Sequence, residues 1–533
     1  MTFIVKFQAI HNFHYILIIK IINSVKLNKK IHKGVDKYYI MEKNVATYLG
    51  QKGYTIKKEN MEISDQIELR NDLMVKPFVP KTSMAKPESF PIYRESKNKF
   101  YIPRFYGIDT YGNPEANLLK SGKDIDLEFN GELRDFQKPI VNAYLKHAKT
   151  KGSGLLELFC GGGKTVIGLN IISKLKKKTL IVVHKEFLVR QWIERIEQFL
   201  PKARVGKIQA SVIDIEDKDI VIGMLQSLSM KEYDQSIFNE FGFTIIDECH
   251  HISAEVFSRV LFKAVTPYAL GLSATMKRKD GLTKVIKMFL GEVVYKMERE
   301  KEDNVVVKAI NYYLEDEEFL ELKLNFRQQI NYAAMMKKLC ELNHRREFIL
   351  KVLEDLVETG AEDTQIMVLG HYKTILTYIY EAIKHRGIAT VGYYIGGMKE
   401  VELKKSEGKK IIIATYAMAE EGLDIKTLTT LVMATPKSDV TQAVGRILRK
   451  KRDESLVIDI VDPHIIFQKQ YMKRKRFYKK QNFQLKETDM DGYYKDEWET
   501  RLTNKKSTKK STKKSTKNNS PFMNGVCLIK DDD

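Results

Sequence analysis

Short apolar runs alternate with longer amphipathic segments from about residue 125 onward. Five of these runs predict strands, at Leu155–Leu158, Leu180–Val183, Ile220–Ile222, Phe243–Ile246 and Tyr268–Leu272. After a charged stretch at Glu298–Asp303, five more follow, at Ile366–Leu369, Thr390–Tyr393, Ile411–Ala414, Leu431–Ala434 and Leu456–Ile460. Strands that alternate with helices are typical of parallel α/β sheets. The pattern therefore predicts two such sheets in tandem, with a ligand cleft at the carboxyl ends of their strands.

The segments on either side of this region have a different pattern. Residues 41–120 carry several prolines among short apolar runs, which predicts a small accessory domain. Residues 1–40 contain an apolar run that is interrupted by Lys20 and too short to span a bilayer, so we interpret them as an extension, with Met41 as an alternative start, rather than as a membrane anchor. The repeat Lys-Lys-Ser-Thr in 505–516 predicts a disordered basic tail. The predicted boundaries are 1–40, 41–120, 121–297, a hinge region at 298–340, 341–490 and a tail at 491–533.

The charge of the chain is unevenly distributed. Lys and Arg number 90 against 69 acidic residues, for a net charge of +21 in 533 residues. Segments 1–40, 445–480 and 501–520 carry about +6, +8 and +8, and such localised excess is typical of a nucleic-acid partner. Within the second segment, residues 473–480 interleave cations with aromatics, which favours strand contact, and a solvated helix is the alternative. Four cysteines without paired spacing argue against a disulfide framework or a zinc site and favour a reducing compartment.

A glycine-rich turn follows the first predicted strand and ends in Gly163-Lys164-Thr165. Backbone N–H groups in such a turn close around phosphates, a lysine reaches the β and γ phosphates, and the following hydroxyl holds Mg²⁺. Leu158 stands where the first glycine of this pattern is usual. The turn therefore predicts an ATPase with ATP and Mg²⁺ as cofactors, and a glycine-rich loop without that function is the alternative.

Polar residues follow two later strands as well. Asp247 and Glu248 come after Phe243–Ile246, which predicts that Asp247 helps to hold Mg²⁺ and that Glu248 orients the attacking water. An exposed acidic turn is the alternative. Ser273 and Thr275 end the next strand, where small hydroxyl side chains are able to couple one site to another.

These three motifs, in this order, closely resemble those of superfamily 2 helicases, and the resemblance extends from residue 133 to about 450. It implies two RecA-like lobes, and it assigns roles to further residues of the chain. Nucleotide binding falls to Gln137, which would read adenine, and to Cys160, Gly161, Gly162, Gly163, Lys164, Thr165, Asp247, Asp424 and Gln442. Arg446 and Arg449 would reach the γ-phosphate from the second lobe and act in catalysis with Lys164 and Glu248. Strand contacts would come from Lys185, Gln226, Gly396 and Gly397, with Gln191-Trp192 in the same group of loops.

Two stretches narrow the resemblance. Ser273–Gly281 and Tyr394–Lys399 look like those of the eukaryotic repair-and-transcription helicase and its relatives in large cytoplasmic DNA viruses, including the poxvirus transcript-release helicase, although Met276 replaces the usual proline. This implies a monomer without membrane association that acts on DNA or RNA with the transcription machinery, in the host cytoplasm or the virion. Two alternatives stay open: a translocase that displaces transcripts without unwinding, and a nucleic-acid-binding scaffold whose ATP site does not hydrolyse.

Overall fold

The structure, a computed structural model, describes residues 47–78, 87–159, 161–250, 252, 254–278, 280–298, 305–421, 425, 427–447 and 455–502, with the backbone alone at 420–421 and 446–447. The predicted extension at 1–40 and the lysine-rich part of the tail lie outside these residues. The chain divides into two compact units, Met1–Glu300 and Lys301–Asp533. Each unit is built around its own sheet.

The first unit begins with a small sheet of five strands in the order β5-β6-β2-β1-β7, accompanied by a two-stranded pair β3-β4. Its strands are β1 (Thr47–Gly50), β2 (Gly53–Lys57), β3 (Met74–Val75), β4 (Phe90–Pro91), β5 (Arg94–Glu95), β6 (Lys99–Ile102) and β7 (Ala116–Asn117). Its helices are α1 (Ile63–Asp72), α2 (Arg104–Tyr111) and a 3-10 turn at Lys58–Asn60. Tyr54 and Ile56 of β2 belong to one apolar cluster with Val285 and Phe289 of the following sheet layer, so this part packs directly on the rest of the unit.

The main sheet of the first unit has eight strands in the order β11-β10-β12-β9-β13-β14-β8-β15. They are β8 (Ser153–Leu158), β9 (Thr179–Val183), β10 (Val205–Gln209), β11 (Val212–Ile213), β12 (Ile220–Met224), β13 (Phe243–Ile246), β14 (Tyr268–Ser273) and β15 (Val293–Met297). The helices are α3 (Gln137–Lys151), α4 (Lys164–Leu175), α5 (Glu186–Phe199), α6 (Leu225–Met230), α7 (Ala254–Leu261), α8 (Thr283–Leu290) and a 3-10 turn at Gln235–Glu240. All pairs are parallel except β10 with β11. Because side chains alternate along a strand, Leu180 and Val182 enter one core cluster and Ile181 and Val183 the other.

The second unit has an eight-stranded sheet in the order β18-β19-β17-β20-β21-β16-β22-β23. Its strands are β16 (Val305–Asn311), β17 (Ile366–Gly370), β18 (Val391–Tyr394), β19 (Ile411–Thr415), β20 (Thr430–Met433), β21 (Ser455–Val461), β22 (Gln484–Asp489) and β23 (Glu499–Leu502). Its helices are α9 (Glu317–Leu320), α10 (Tyr332–Glu341), α11 (Asn343–Thr359), α12 (Lys373–Arg386), α13 (Glu400–Glu407), α14 (Tyr416–Glu421), α15 (Thr441–Ile447), α16 (Ile465–Gln481) and α17 (Met490–Tyr494). Only β23 runs antiparallel to its neighbour. Two parallel-sheet units after a small accessory sheet confirm the predicted fold class.

All ten predicted strands are present within one or two residues of their predicted bounds. The structure adds six strands to these two sheets, and two of them bear on the predicted boundaries. Strand β16 lies inside the second sheet although it falls within the predicted hinge region 298–340, and β23 lies within the predicted tail. The domain boundaries themselves stay a prediction. Among the described residues, no helix is long and apolar enough to cross a membrane.

Candidate nucleotide site and nucleic-acid motifs

The glycine-rich loop connects β8 to the amino end of α4. Leu158, at the position of the usual first glycine, is the last residue of β8 and is 1% exposed, so it belongs to the core and not to the loop. Gly161 and Gly163 have φ angles of +89° and +78°, where side chains are strained. A Cβ on Gly163 would also lie 2.3 Å from Nε2 of Gln137, so only glycine fits there. The loop thus opens on the N-terminus of α4, a position that suits a phosphate. Cys160 lies outside the described residues.

Gln137, predicted to read adenine, supports this loop from below. Its side-chain oxygen accepts a hydrogen bond from the Arg134 N–H at 3.0 Å, and its Nε2 donates to the Gly162 carbonyl at 3.1 Å. The residue is 3% exposed, so both bonds are shielded from water. One N–H of the amide is left over after these bonds. The contact with adenine stays a prediction.

Two carboxylates follow β13, as the sequence predicts. Asp247 is 5% exposed, and its two oxygens accept hydrogen bonds from Nε1 of Trp192 at 2.9 Å and from the Glu248 N–H at 2.9 Å. Burial, and secondarily the charge of Glu248, raise the pKa of Asp247, so a nearby cation would favour its ionised form. Glu248 itself has a φ of +47°, a conformation that non-glycine residues seldom adopt outside functional sites.

Lys164 and Glu248 form an ion pair that joins the phosphate loop to the end of β13. Their side chains are 13% and 20% exposed, so solvent screens the pair only partly. Lysine offers donors and no acceptor, and phosphate oxygens would compete with Glu248 for the same ammonium group. The structure therefore brings together the two residues that the sequence places in catalysis in this unit.

A hydrogen-bonded chain continues from Glu248 to the end of β14. His250 Nδ1 lies 3.4 Å from Glu248 Oε2 and 2.6 Å from the Ser273 hydroxyl, which itself lies 2.6 Å from the Thr275 carbonyl. A serine hydroxyl has one hydrogen, and the carbonyl can only accept it. His250 must then donate from Nδ1 to Ser273, which assigns its tautomer. The predicted coupling residues Ser273 and Thr275 are thus connected to the catalytic carboxylate.

The oxygens at the strand ends suit Mg²⁺. A threonine hydroxyl at the start of α4 and the Asp247 carboxylate are both hard oxygen donors. Asp247 uses one hydrogen bond on each oxygen, which leaves lone pairs for a cation or its water shell. Thr165 and Asp247 would hold the ion, which supplies charge neutralisation at the phosphates.

The first unit also brings two predicted strand-contacting residues together. Lys185 caps the start of α5 after β9, and Gln226 follows the adjacent parallel strand β12. Nε2 of Gln226 donates to the His184 carbonyl at 3.3 Å, so both residues lie at one edge of the sheet.

Trp192, grouped with these loops by resemblance, is instead a core residue. It is 1% exposed, its ring lies against Gly168, and its indole N–H holds Asp247. The expectation of strand contact is wrong for this residue. The spacing of Leu188, Trp192 and Ile196 along α5 was the signal for burial.

In the second unit, Gly396 and Gly397 follow β18 and are exposed. A Cβ on either would meet no atom within 4 Å, so a ligand is able to approach this backbone closely. Gly397 has a φ of +92°.

Four side chains that sequence reasoning missed hold the loop between β20 and α15. Nη1 of Arg345 donates to the Ala434 carbonyl at 2.7 Å, and Nη1 of Arg474 donates to the Lys437 carbonyl at 2.6 Å. Between them, His371 Nδ1 lies 2.7 Å from the Thr435 hydroxyl and the Tyr416 hydroxyl donates to the Thr435 carbonyl at 2.6 Å.

This loop leads into α15, which carries Gln442 half-buried. Arg446 lies in the same helix, and its side chain lies outside the description. Arg449 and Asp424 fall outside the described residues.

The basic segment 473–480 is partly core. Arg474 is 1% exposed and binds Asp459 through Nε at 2.7 Å and Nη2 at 2.8 Å, and the Tyr478 hydroxyl donates to the same carboxylate at 2.9 Å. For these two residues, strand contact and free solvation are both wrong.

Comparisons with known proteins agree with this geometry. The family model described as "Type III restriction enzyme, res subunit" matches residues 130–278. Protein L396 of Acanthamoeba polyphaga mimivirus, named as an ATP-dependent RNA helicase, is 34% identical over 473 residues, which cover 86% of this chain and 90% of that protein. The chain belongs to the superfamily 2 helicases.

This helicase is also similar to QP509L of African swine fever virus (isolate Pig/Kenya/KEN-50/1950), named as an ATP-dependent RNA helicase, at 26% identity over 67% of the chain and 74% of that protein. The DNA 3'-5' translocase XPB2 of Sulfurisphaera tokodaii is 28% identical over 68% of the chain and 89% of that protein. Among solved structures, the DNA-bound type ISP restriction-modification enzyme LlaBIII aligns with 69% of the chain and 32% of its own length, at 18% identity and a TM-score of 0.49. The helicase is thus an ATP-dependent enzyme that acts on nucleic acid.

Proposed function

We propose that the helicase hydrolyses ATP with Lys164 on the β and γ phosphates, Thr165 and Asp247 at Mg²⁺, and Glu248 as the residue that orients the attacking water. Arg446 and Arg449 of the second unit are proposed to neutralise transition-state charge. The observation that carries this proposal is the contact between Lys164 and Glu248 at the ends of β8 and β13.

The ion pair indicates an order of events in this proposal. ATP phosphates take over Lys164, and Glu248 is then released to accept a proton from water. His250 contacts both Glu248 and Ser273, so a change at the carboxylate reaches the coupling residues through one imidazole ring. This arrangement favours an ATPase whose state is read by Ser273 and Thr275, and it argues against a scaffold with a passive nucleotide site.

The test compares Glu248→Gln with Lys164→Ala. Glu248→Gln should lower ATP turnover on the order of 10²- to 10⁴-fold, the usual contribution of a general base. It should bind ATP at least as tightly as the native chain, because the neutral amide no longer competes for Lys164. Lys164→Ala should lose binding itself.

Glu255→Gln is the matched control, since Glu255 pairs with Arg259 on the surface of α7 and both side chains are about half exposed. Turnover and binding of a fluorescent ATP analogue are measured for all three variants. Native turnover in Glu248→Gln would refute its catalytic role.

The nucleic-acid strand is proposed to contact Lys185, Gln226, Gly396 and Gly397. These are one cation, one amide and two accessible backbone positions, which suit contacts to the phosphate backbone rather than to bases. The relatives' names point to RNA helicases and to a DNA translocase, so translocation without unwinding is the second candidate.

One experiment decides between the two candidates. ATPase stimulation is compared for single- and double-stranded DNA and RNA at fixed salt, beside strand displacement on the same substrates. Stimulation with strand displacement supports a helicase in the strict sense. Stimulation without displacement supports the translocase.

We further propose that the enzyme works as a monomer with the transcription machinery of a large DNA virus, in the host cytoplasm or the virion. The viral relatives support this setting. Light scattering of the purified chain tests the monomer, and co-purification with the viral RNA polymerase tests the partner.

A further inference from the structure

Helix α16 has two opposite faces of different character. Phe467, Tyr471, Arg474 and Tyr478 are buried, and the last two are bonded to Asp459. The Tyr471 hydroxyl bonds Glu487 on β22. These bonds fix the rotation of the helix about its own axis, so the face that it presents to solvent is also fixed.

That outer face carries a line of cations. Lys469, Lys473, Arg476 and Lys480 are exposed, and at about 100° per residue they fall within an arc of about 60° opposite the buried side chains. They extend over about 16 Å of helix, at 1.5 Å per residue. In the part of the chain that the structure describes, none of the four is in an ion pair, whereas Lys475 on the flank pairs with Glu487. We call these four residues the α16 basic stripe.

The positive charge continues beyond the stripe. Leu502, the last described residue, pairs with Leu485 at the start of β22, and β22 begins three residues after α16 ends. The chain after Leu502 therefore leaves beside the Lys480 end of the stripe. Its next eighteen residues, 503–520, contain seven lysines and no acidic residue.

The stripe lies well apart from Gly396 and Gly397 in the sheet. Helix α16 connects β21 to β22 across β16, and β18, which precedes the two glycines, is five strands from β16. At about 4.8 Å per strand this separates the two regions by about 24 Å. A ligand on the stripe thus makes contacts that are additional to those at the strand ends.

We propose that the α16 basic stripe binds the phosphate backbone of nucleic acid, as a second and sequence-independent contact of this helicase. Cations on successive turns face one direction without counter-charges, which is the footprint of phosphate binding. The apolar side of α16 is buried in its own unit, so insertion into a lipid surface is excluded. The inference rests on the nucleic-acid activity of the family and not on the proposed catalytic residues.

The test uses the full chain with Lys469→Gln, Lys473→Gln, Arg476→Gln and Lys480→Gln combined. The matched control replaces four exposed lysines of α3 and α4 in the first unit, Lys146, Lys149, Lys151 and Lys174, with Gln, for the same loss of charge. Fluorescence anisotropy measures affinity for a duplex DNA, a single-stranded DNA and a single-stranded RNA of two sequences each, between 50 and 200 mM salt. Circular dichroism checks that both variants are folded.

If each cation of the stripe neutralises one phosphate, the slope of log affinity against log salt falls by about 3 to 4 for duplex DNA and by about 3 for single strands. The loss should be the same for both sequences, and the control should change the slope by less than 1. A slope unchanged in the stripe variant overturns the inference.

Two further arms separate other sources of the charge effect. Substitution of the seven lysines at 503–520 by Gln should lower the slope further, and a slope that depends on these lysines alone overturns the role of the helix. Vesicles of anionic phospholipid are the second arm, and stripe-dependent binding to them without any effect on nucleic acid also overturns it.

ATP turnover at saturating nucleic acid should stay within about twofold of native in the stripe variant. Lys164→Ala should lose turnover and keep the native salt slope. The stripe and the proposed catalytic site therefore fail independently of each other.

Discussion

The ion pair between Arg345 and Asp462 in the second unit supports a quantitative prediction. Both side chains are 0% exposed, and the guanidinium binds the carboxylate through Nε at 2.7 Å and Nη2 at 2.9 Å. The third contact of Arg345 is the Ala434 carbonyl at 2.7 Å. Arg345→Met keeps an unbranched apolar stem, removes the charge, and leaves both acceptors without their donor.

The expected loss of stability follows from this burial. Removing one partner of a buried pair costs about 3–5 kcal/mol, because the remaining charge is left uncompensated in a low dielectric. The matched control is Arg386→Met in the same unit, since Arg386 and Glu347 form an ion pair at 40% and 44% exposure. Surface pairs of this kind contribute about 0.2–1 kcal/mol. Arg345→Met should therefore destabilise the second unit several times more than Arg386→Met.

The chain provides its own reporter for this measurement. It has two tryptophans, Trp192 in the first unit and Trp498 in the second, so Trp192→Phe leaves Trp498 as the fluorescent probe of the second unit. With an m-value of about 2 kcal/mol/M, a loss of 4 kcal/mol lowers the urea midpoint by about 2 M. A shift below about 0.5 M, or one equal to that of Arg386→Met, would refute the reasoning. ATP turnover should fall with it, because the Ala434 carbonyl begins the loop that leads into α15.

Three further predictions concern other groups. Burial and the charge of Lys437 lower the pKa of His371 from 6.5 to about 4, so between these values the unfolded chain binds the extra proton and the unfolding free energy of the second unit falls as pH drops; His371→Gln should flatten the Trp498 unfolding curve across that window, and an unchanged dependence would contradict the assignment. Burial raises the pKa of the Cys249 thiol to about 12 and of the Cys340 thiol to about 11, so iodoacetamide at pH 8 should modify neither in the native chain and both in urea, as peptide mass mapping would show. Gly163→Ala should abolish ATP binding, because its Cβ would clash with Gln137, whereas Gly161→Ala, with open space around the same position, should weaken binding less; equal affinities would argue against the contact.

Sequence patterns sufficed for elements whose burial is local. The ten predicted strands are continuous apolar runs, since a parallel strand is covered on both faces. The glycine turn, the Asp247-Glu248 pair and the Ser273 motif were visible because each follows such a run directly. Even Leu158, which departs from the usual turn, is explained by its place at the end of β8.

Tertiary pairing decided the elements that have no such pattern. Strand β22 reads Gln-Leu-Lys-Glu-Thr-Asp and β16 follows a charged stretch, so neither stands out until its neighbours in the sheet supply hydrogen-bond partners. Buried charges were equally hidden, because Arg345 and Arg474 resemble solvated residues until Asp462 and Asp459 are brought beside them.

The sequence by itself thus determined the two parallel sheets, the order of the motifs and the residues of the phosphate loop, since these depend on local spacing and side-chain chemistry. The fold alone decided which of these residues meet: Lys164 with Glu248, and His250 with Ser273. It also decided that one side of the basic helix is core and the other a charged surface. The physical reason is that a contact between distant residues depends on how strands are ordered in the sheet, which no local pattern contains.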